Sequence, residues 1–173
     1  MEKINQGSGK INPKAPATLS RFAFLVGKWR FNAKFQSGSG AWEKFEGTWE
    51  GCYILDGYAI ADEYRMTNPS GEALVLGMNF RVYDPAKRQW NIKWLNALEG
   101  TWVDLTLPEF GGAHFTDHSV SYVFKDPAAA WAYTRATYTN TSPEHFTWLG
   151  EKSDDKSAWS EFMVIDCHRN GEM

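Results

Sequence analysis

The chain has 173 residues and a formal net charge of −3 at neutral pH. That length fits one domain or a tight pair, and that charge lacks the basic excess of a nucleic-acid or anionic-membrane binder. Gly (15) and Pro (7) stand at ordinary levels, which excludes collagen-like and low-complexity chains. The 27 aromatic residues outnumber the 23 Leu, Ile and Val, so much of the core has to be aromatic. A chain this long buries roughly 70% of its unfolded surface and folds without staples.

The first 17 residues are polar and lack the apolar segment of a signal peptide. They read as a flexible arm ahead of one domain, residues 18–173. No run approaches the ~18 apolar residues of a membrane span, and a cytoplasmic location is expected. Two distant cysteines, Cys52 and Cys167, make no disulfide framework and are expected as free, buried thiols. Thr18–Leu25 reads as a short helix, with Thr18 or Ser20 as cap and Gly27 as its stop.

After Gly27 the hydrophobic period is two. Trp29, Phe31, Ala33 and Phe35 alternate with polar residues. So do Tyr58 to Met66, Leu74 to Val82, and Trp90 to Asn96. Val120, Tyr122 and Phe124 form a shorter set, and Trp131, Tyr133, Arg135 and Thr137 another. His145–Lys152 and Ala158–Asp166 look like a final hairpin. Asn68-Pro69-Ser70-Gly71 and Asp84-Pro85-Ala86-Lys87 carry type I turn chemistry. About ten strands joined by short turns predict an antiparallel meander. Such a sheet hides its edges by closing into a barrel or splitting into a sandwich. A barrel accounts better for the aromatic content, because its interior can hold one small ligand among ring side chains.

A short helix followed by Gly27-Lys28-Trp29 and a long meander resembles the start of the lipocalins and the wider calycin superfamily. That resemblance implies a Trp29 packed at the closed end of a barrel and covered by a basic residue near the C-terminus, for which Arg169 is placed. Phe24-Leu25-Val26-Gly27-Lys28-Trp29, Trp49 to Tyr58, Asp62-Glu63-Tyr64-Arg65 and Gly77 to Pro85, with Trp90 and Trp94 after them, resemble a bacterial family of unknown function built as lipocalin-like barrels. The likeness spans most of residues 20–170. The family has no established activity, so the resemblance implies a fold and no catalytic residue.

Candidate chemistry is sparse. His114 and His118 bracket Asp117, but in a strand they would lie roughly 13 Å apart, too far for one ion, so no metal site is assigned. Cys167 and His168 are adjacent and point to opposite faces of a strand, which argues against mutual activation. Gly7-Ser8-Gly9-Lys10 lacks the spacing of a phosphate loop. In Asp62-Glu63-Tyr64-Arg65 either Asp62 and Tyr64 or Glu63 and Arg65 face inward, and an internal Glu63 would need Arg65 or Arg81 as partner. Trp131, Tyr133 and Arg135 share one face, and Trp159, Glu161 and Met163 another. Either Arg135 and Glu161 form a charged floor inside the barrel, or they lie on its surface. Trp94 and Asn96 share a face and could orient a ligand, and Trp102 and Asp104 share one likewise. No nucleophile elbow, His-Glu-x-x-His or dinucleotide loop occurs.

The reading is an all-β, lipocalin-like antiparallel barrel of about ten strands with a short N-terminal helix. It would bind a small hydrophobic or aromatic molecule with one polar end. Trp94, Trp131, Tyr133 and Trp159 would contact the apolar body, and Tyr64, Asn96, Arg135 and Glu161 the polar end. Two alternatives stay open: an isomerase, cyclase or lyase using Tyr64 or Glu63 with an arginine, and a structural or oligomerisation module with a filled core. No cofactor is assigned. The expected partner is the small hydrophobic ligand, without nucleic acid or membrane, and a homodimer is left open.

Overall fold

A computed structural model of the chain describes residues 9–170. The alternating segments become eleven strands: β1 (Gly27–Gln36), β2 (Trp42–Ile54), β3 (Ala59–Thr67), β4 (Ala73–Asp84), β5 (Gln89–Asn96), β6 (Thr101–Asp104), β7 (His114–Phe115), β8 (Val120–Phe124), β9 (Tyr133–Thr139), β10 (His145–Ser153) and β11 (Ser160–Arg169). They form one antiparallel sheet in the order β6-β5-β4-β3-β2-β1-β11-β10-β9-β8-β7. Every neighbour in that order is also a neighbour in sequence except β1 and β11, which pair the two ends of the chain. Among the described residues no ladder joins β6 to β7. The link between them is held on both sides instead. The Thr106 hydroxyl donates to the Trp90 carbonyl and accepts from the Ile92 amide, both at 2.9 Å, and Phe110 packs edge-on against Tyr133.

The sheet is strongly curled. Six strand steps separate β4 from β9, roughly 29 Å in a flat sheet. Yet Arg81 of β4 donates to the Tyr138 hydroxyl of β9 at 3.0 Å. The Trp49 ring of β2 likewise lies 5.9 Å from that of Tyr138. Rolling the sheet brings these inner faces together, and the architecture is an all-β barrel.

The short helix expected at Thr18–Leu25 is a 3-10 helix over Ala17–Leu25. Neither Thr18 nor Ser20 caps it. Pro16 occupies the cap position, and the Ser20 hydroxyl donates to the Ala17 carbonyl instead. Its Leu19, Phe22 and Leu25 are fully buried. Phe22 packs on Trp90, Phe115 and Tyr138, so the segment plugs one end of the barrel. Of the expected N-terminal arm, residues 1–8 lie outside the described residues. Asn12 binds the turn after β2, through its amide to Asp56 and its backbone to Gly57. Among the described residues no helix is long and apolar enough to cross a membrane.

Two local features decide which side chains enter the barrel. On β4 the apolar set Leu76, Met78, Phe80 and Val82 faces outward, while Gly77, Asn79 and Arg81 are buried. The register explains this inversion. Gly77, Asn79 and Arg81 pair with Tyr64, Asp62 and Ile60 of β3, and directly opposed residues share a face. On β11 a bulge gives Phe162 no partner, because Glu151 faces Glu161 while Gly150 faces Met163. The extra residue breaks the alternation, so Met163 points in and Glu161 points out.

Candidate functional site

The barrel encloses a cavity of about 580 Å³, within the usual range for a small-molecule site. Its walls are mostly apolar and rich in aromatic rings, with Phe45, Tyr64, Trp94, Trp131, Trp148 and Phe162 among the lining residues. Ser37 and Glu43 of the β1–β2 hairpin and Asp126, Ala128 and Ala129 after β8 also line it. Glu43 and Ala128 are exposed, so this end opens to solvent, opposite the Phe22 plug. Trp131 is held near that end because its indole N–H donates to the Thr134 hydroxyl at 2.9 Å.

The polar part of the wall rests on a buried ion pair. Asp62 and Arg81 meet as carboxylate and guanidinium with no side-chain exposure. Neither lines the cavity. Asp62 Oδ1 accepts from Trp49 Nε1 at 2.5 Å and from Asn79 Nδ2 at 2.9 Å. Arg81 Nη2 donates to the Tyr138 hydroxyl, which lies 3.4 Å from the Tyr122 hydroxyl. Trp49, Asn79, Tyr122 and Tyr138 all line the cavity. The pair therefore orients four wall residues from behind. Asp62 Oδ2 and Arg81 Nη1 face each other in the ion pair, which leaves Arg81 Nε as the guanidinium nitrogen without a partner.

Arg81 has no acceptor and fills a lone pair on Tyr138. The two phenols then share one hydrogen bond and own two O–H groups. That bond uses one of the two O–H groups and leaves the other on a residue that lines the cavity. Burial, with the neighbouring Tyr122, pushes the Tyr138 hydroxyl well above its usual range despite the Arg81 charge. Burial, reinforced by the Cys167 thiol, raises Tyr64 as well. Both phenols stay neutral and serve as donors rather than bases. Among the described residues, no Lys, Arg or His lines the cavity, whereas Glu43 and Asp126 do.

The eight residues expected at the site separate. Tyr64, Trp94 and Trp131 line the cavity. Asn96 has the parity of Trp94 but ends its strand, and its side chain accepts from the Leu98 and Glu99 amides. Tyr133 and Arg135 face outward, since Thr134, Ala136 and Tyr138 are the buried residues of β9. Trp131 escapes that parity because it precedes the strand. Arg135 forms a two-pronged bond with Glu151, at 2.6 and 2.8 Å, and stacks on Trp159 at 4.4 Å. Glu161 is exposed beyond the bulge. The charged floor of Arg135 and Glu161 is thus replaced by a surface ion pair with another partner. Glu63 and Arg65 also face outward, paired with each other at 3.7 Å, so neither can act inside.

Sequence reasoning missed Trp49, Asn79, Tyr122, Tyr138 and Trp148 as cavity residues. Asp62 shares the face of Tyr64, as alternation implies, but Arg81 is its partner rather than that of Glu63. The alternation of β4 places Arg81 on its polar face, so only the β3–β4 register reveals the pair. Both cysteines are free, but only Cys167 is buried and Cys52 is partly exposed; burial raises the thiol of each.

No family model matches the chain, and neither does any curated protein. Solved structures do. The crystal structure of Rv2717c from M. tuberculosis aligns at a TM-score of 0.62 and 7% identity, over 91% of this chain and 99% of that one. The S-type phycobiliprotein lyase CPES from Guillardia theta aligns at 0.47 and 10% identity, over 88% and 92%. A redesigned beta barrel, mFAP1, bound to DFHBI aligns at 0.43 and 15% identity, over 85% and 96%. At 7% identity the likeness to Rv2717c concerns the fold.

Proposed function

We propose that this protein binds a small, neutral, largely aromatic or hydrophobic molecule whose one polar end is a hydrogen-bond acceptor such as a carbonyl. The observation that carries the reading is the cavity of about 580 Å³ with the Tyr122–Tyr138 pair in its wall and, among the described residues, no cationic side chain lining it. The aromatic walls supply apolar contact area. The Tyr122–Tyr138 pair supplies the donor, held in place by Arg81 from behind. Carboxylates at Glu43 and Asp126 disfavour an anionic ligand by charge repulsion. Tyr64, Trp94 and Trp131 belong to this site, joined by Asn79 and Trp148.

Quenching of tryptophan fluorescence by a matched pair of probes tests the reading. 1-Acetylnaphthalene is neutral with a carbonyl, and 1-naphthoic acid is its anionic counterpart. The neutral probe is expected to bind at least about tenfold tighter, a difference of ~1.4 kcal/mol. Equal binding, tighter binding of the acid, or binding of neither overturns the proposal. Native mass spectrometry of the purified protein identifies any molecule that already fills the cavity.

A further inference from the structure

The outer face of the barrel holds a cluster that the cavity does not use. His145 of β10 and His168 of β11 stand directly opposite in register, with ring centroids 4.8 Å apart. Asp166 lies two residues before His168 and so projects from the same face. His145 Nε2 donates to Asp166 Oδ1 at 2.6 Å, and His168 Nε2 donates to Asp166 Oδ2 at 2.9 Å. The three donor atoms lie within 4.8 Å of one another. All three side chains reach solvent, which gives an ion an entry path.

We propose that His145, Asp166 and His168 form a surface site for one divalent transition-metal ion, with Zn²⁺ as the fitting case. Two imidazoles and one carboxylate are a nitrogen-rich donor set, which suits Zn²⁺, Cu²⁺ or Ni²⁺ and not the oxygen-seeking Ca²⁺ or Mg²⁺. Both Nε2 atoms already aim at one carboxylate. Zinc needs those nitrogens as lone pairs. Each neutral ring therefore shifts its proton from Nε2 to Nδ1, and the ion takes the place of the two N–H hydrogens. Bonds of about 2.0–2.1 Å in a tetrahedron put donor atoms roughly 3.3 Å apart. Partly exposed side chains reach that spacing by small rotations. Three protein donors leave a fourth position for water or an exogenous ligand. Arg30 on β1 stands opposite His168 and is the cation in register that works against the ion.

Titration calorimetry of the metal-free full chain with ZnCl₂ at neutral pH tests this. One ion per chain is expected. His145→Ala and His168→Ala are each expected to weaken binding by at least about tenfold, the scale at which even supporting residues act. The other two histidines, His114 and His118, serve as controls, and His114→Ala and His118→Ala are expected to leave binding unchanged. With Co²⁺ the visible spectrum is expected to show the intensity of tetrahedral coordination. No saturable binding overturns the proposal, as does equal weakening in the control variants. Tryptophan fluorescence verifies that each variant is folded.

Discussion

The guanidinium carbon of Arg169 lies 4.2 Å from the centroid of the Trp29 ring. The same group donates to the Val26 carbonyl at 3.1 Å and to the Pro143 carbonyl. Gly27 sits beneath it with φ of 125°, and a Cβ there would collide with Arg169 Nη1. The closed end of the barrel is thus clamped where β1 meets β11. Arg169→Ala is expected to lower stability in urea unfolding by ~1–2 kcal/mol, the scale of a partly desolvated cation–π contact. Arg169→Lys recovers little, because one ammonium cannot stack and bridge two carbonyls. Gly27→Ala is expected to destabilise as well, from both the collision and the backbone strain.

Breaking the buried Asp62–Arg81 pair from one side leaves an uncompensated charge. Asp62→Leu or Arg81→Met alone is expected to cost ~3–5 kcal/mol. The double variant is expected to cost much less than the sum of the two. A double-mutant cycle on urea midpoints measures this coupling, and additivity would show that the pair acts independently.

The two phenols of the cavity wall are not equivalent toward a carbonyl ligand, because only Tyr138 also accepts from Arg81. Tyr122→Phe keeps a donor, since Tyr138 then turns its O–H into the cavity, and affinity for 1-acetylnaphthalene is expected to change little. Tyr138→Phe orphans a buried Arg81 N–H and is expected to cost ~1–3 kcal/mol of stability. The double Phe variant removes the donor and is expected to lose up to about tenfold in affinity, with binding of plain naphthalene unaffected.

Alkaline pH is expected to unfold the protein through Tyr64 and Tyr138. Burial raises both hydroxyls above the ordinary value of 10.0. The unfolded chain therefore releases these protons first, and stability falls as pH climbs past about 10. Absorbance titration is expected to show both phenols ionising together with loss of structure. Tyr64→Phe is expected to flatten that alkaline limb.

Much of the fold was legible because period-two patterning is local. Trp29, Phe31 and Ala33 are inward on β1 as their alternation implies, and the 3-10 plug and the meander follow from residues close in sequence. The candidate site was only partly legible. Glu161 left the expected face through one unpaired residue, Phe162, and a bulge has no dependable signature in a single sequence. On β4 the apolar residues took the outer face. The inner one belongs to Gly77, Asn79 and Arg81: Arg81 meets Asp62 there, and the Trp94 ring fills the space that a side chain at position 77 would need. His145 and His168 are 23 positions apart, and only the β10–β11 register joins them.

By itself the sequence determined the class of the fold, its strand order along the chain and the aromatic character of its interior. These depend on turn chemistry and on hydrophobic spacing, which act between near neighbours. The tertiary structure decided which face of each strand meets the cavity, which charges pair and where donors converge. Those depend on register, and a shift of one residue exchanges inside for outside along the whole strand.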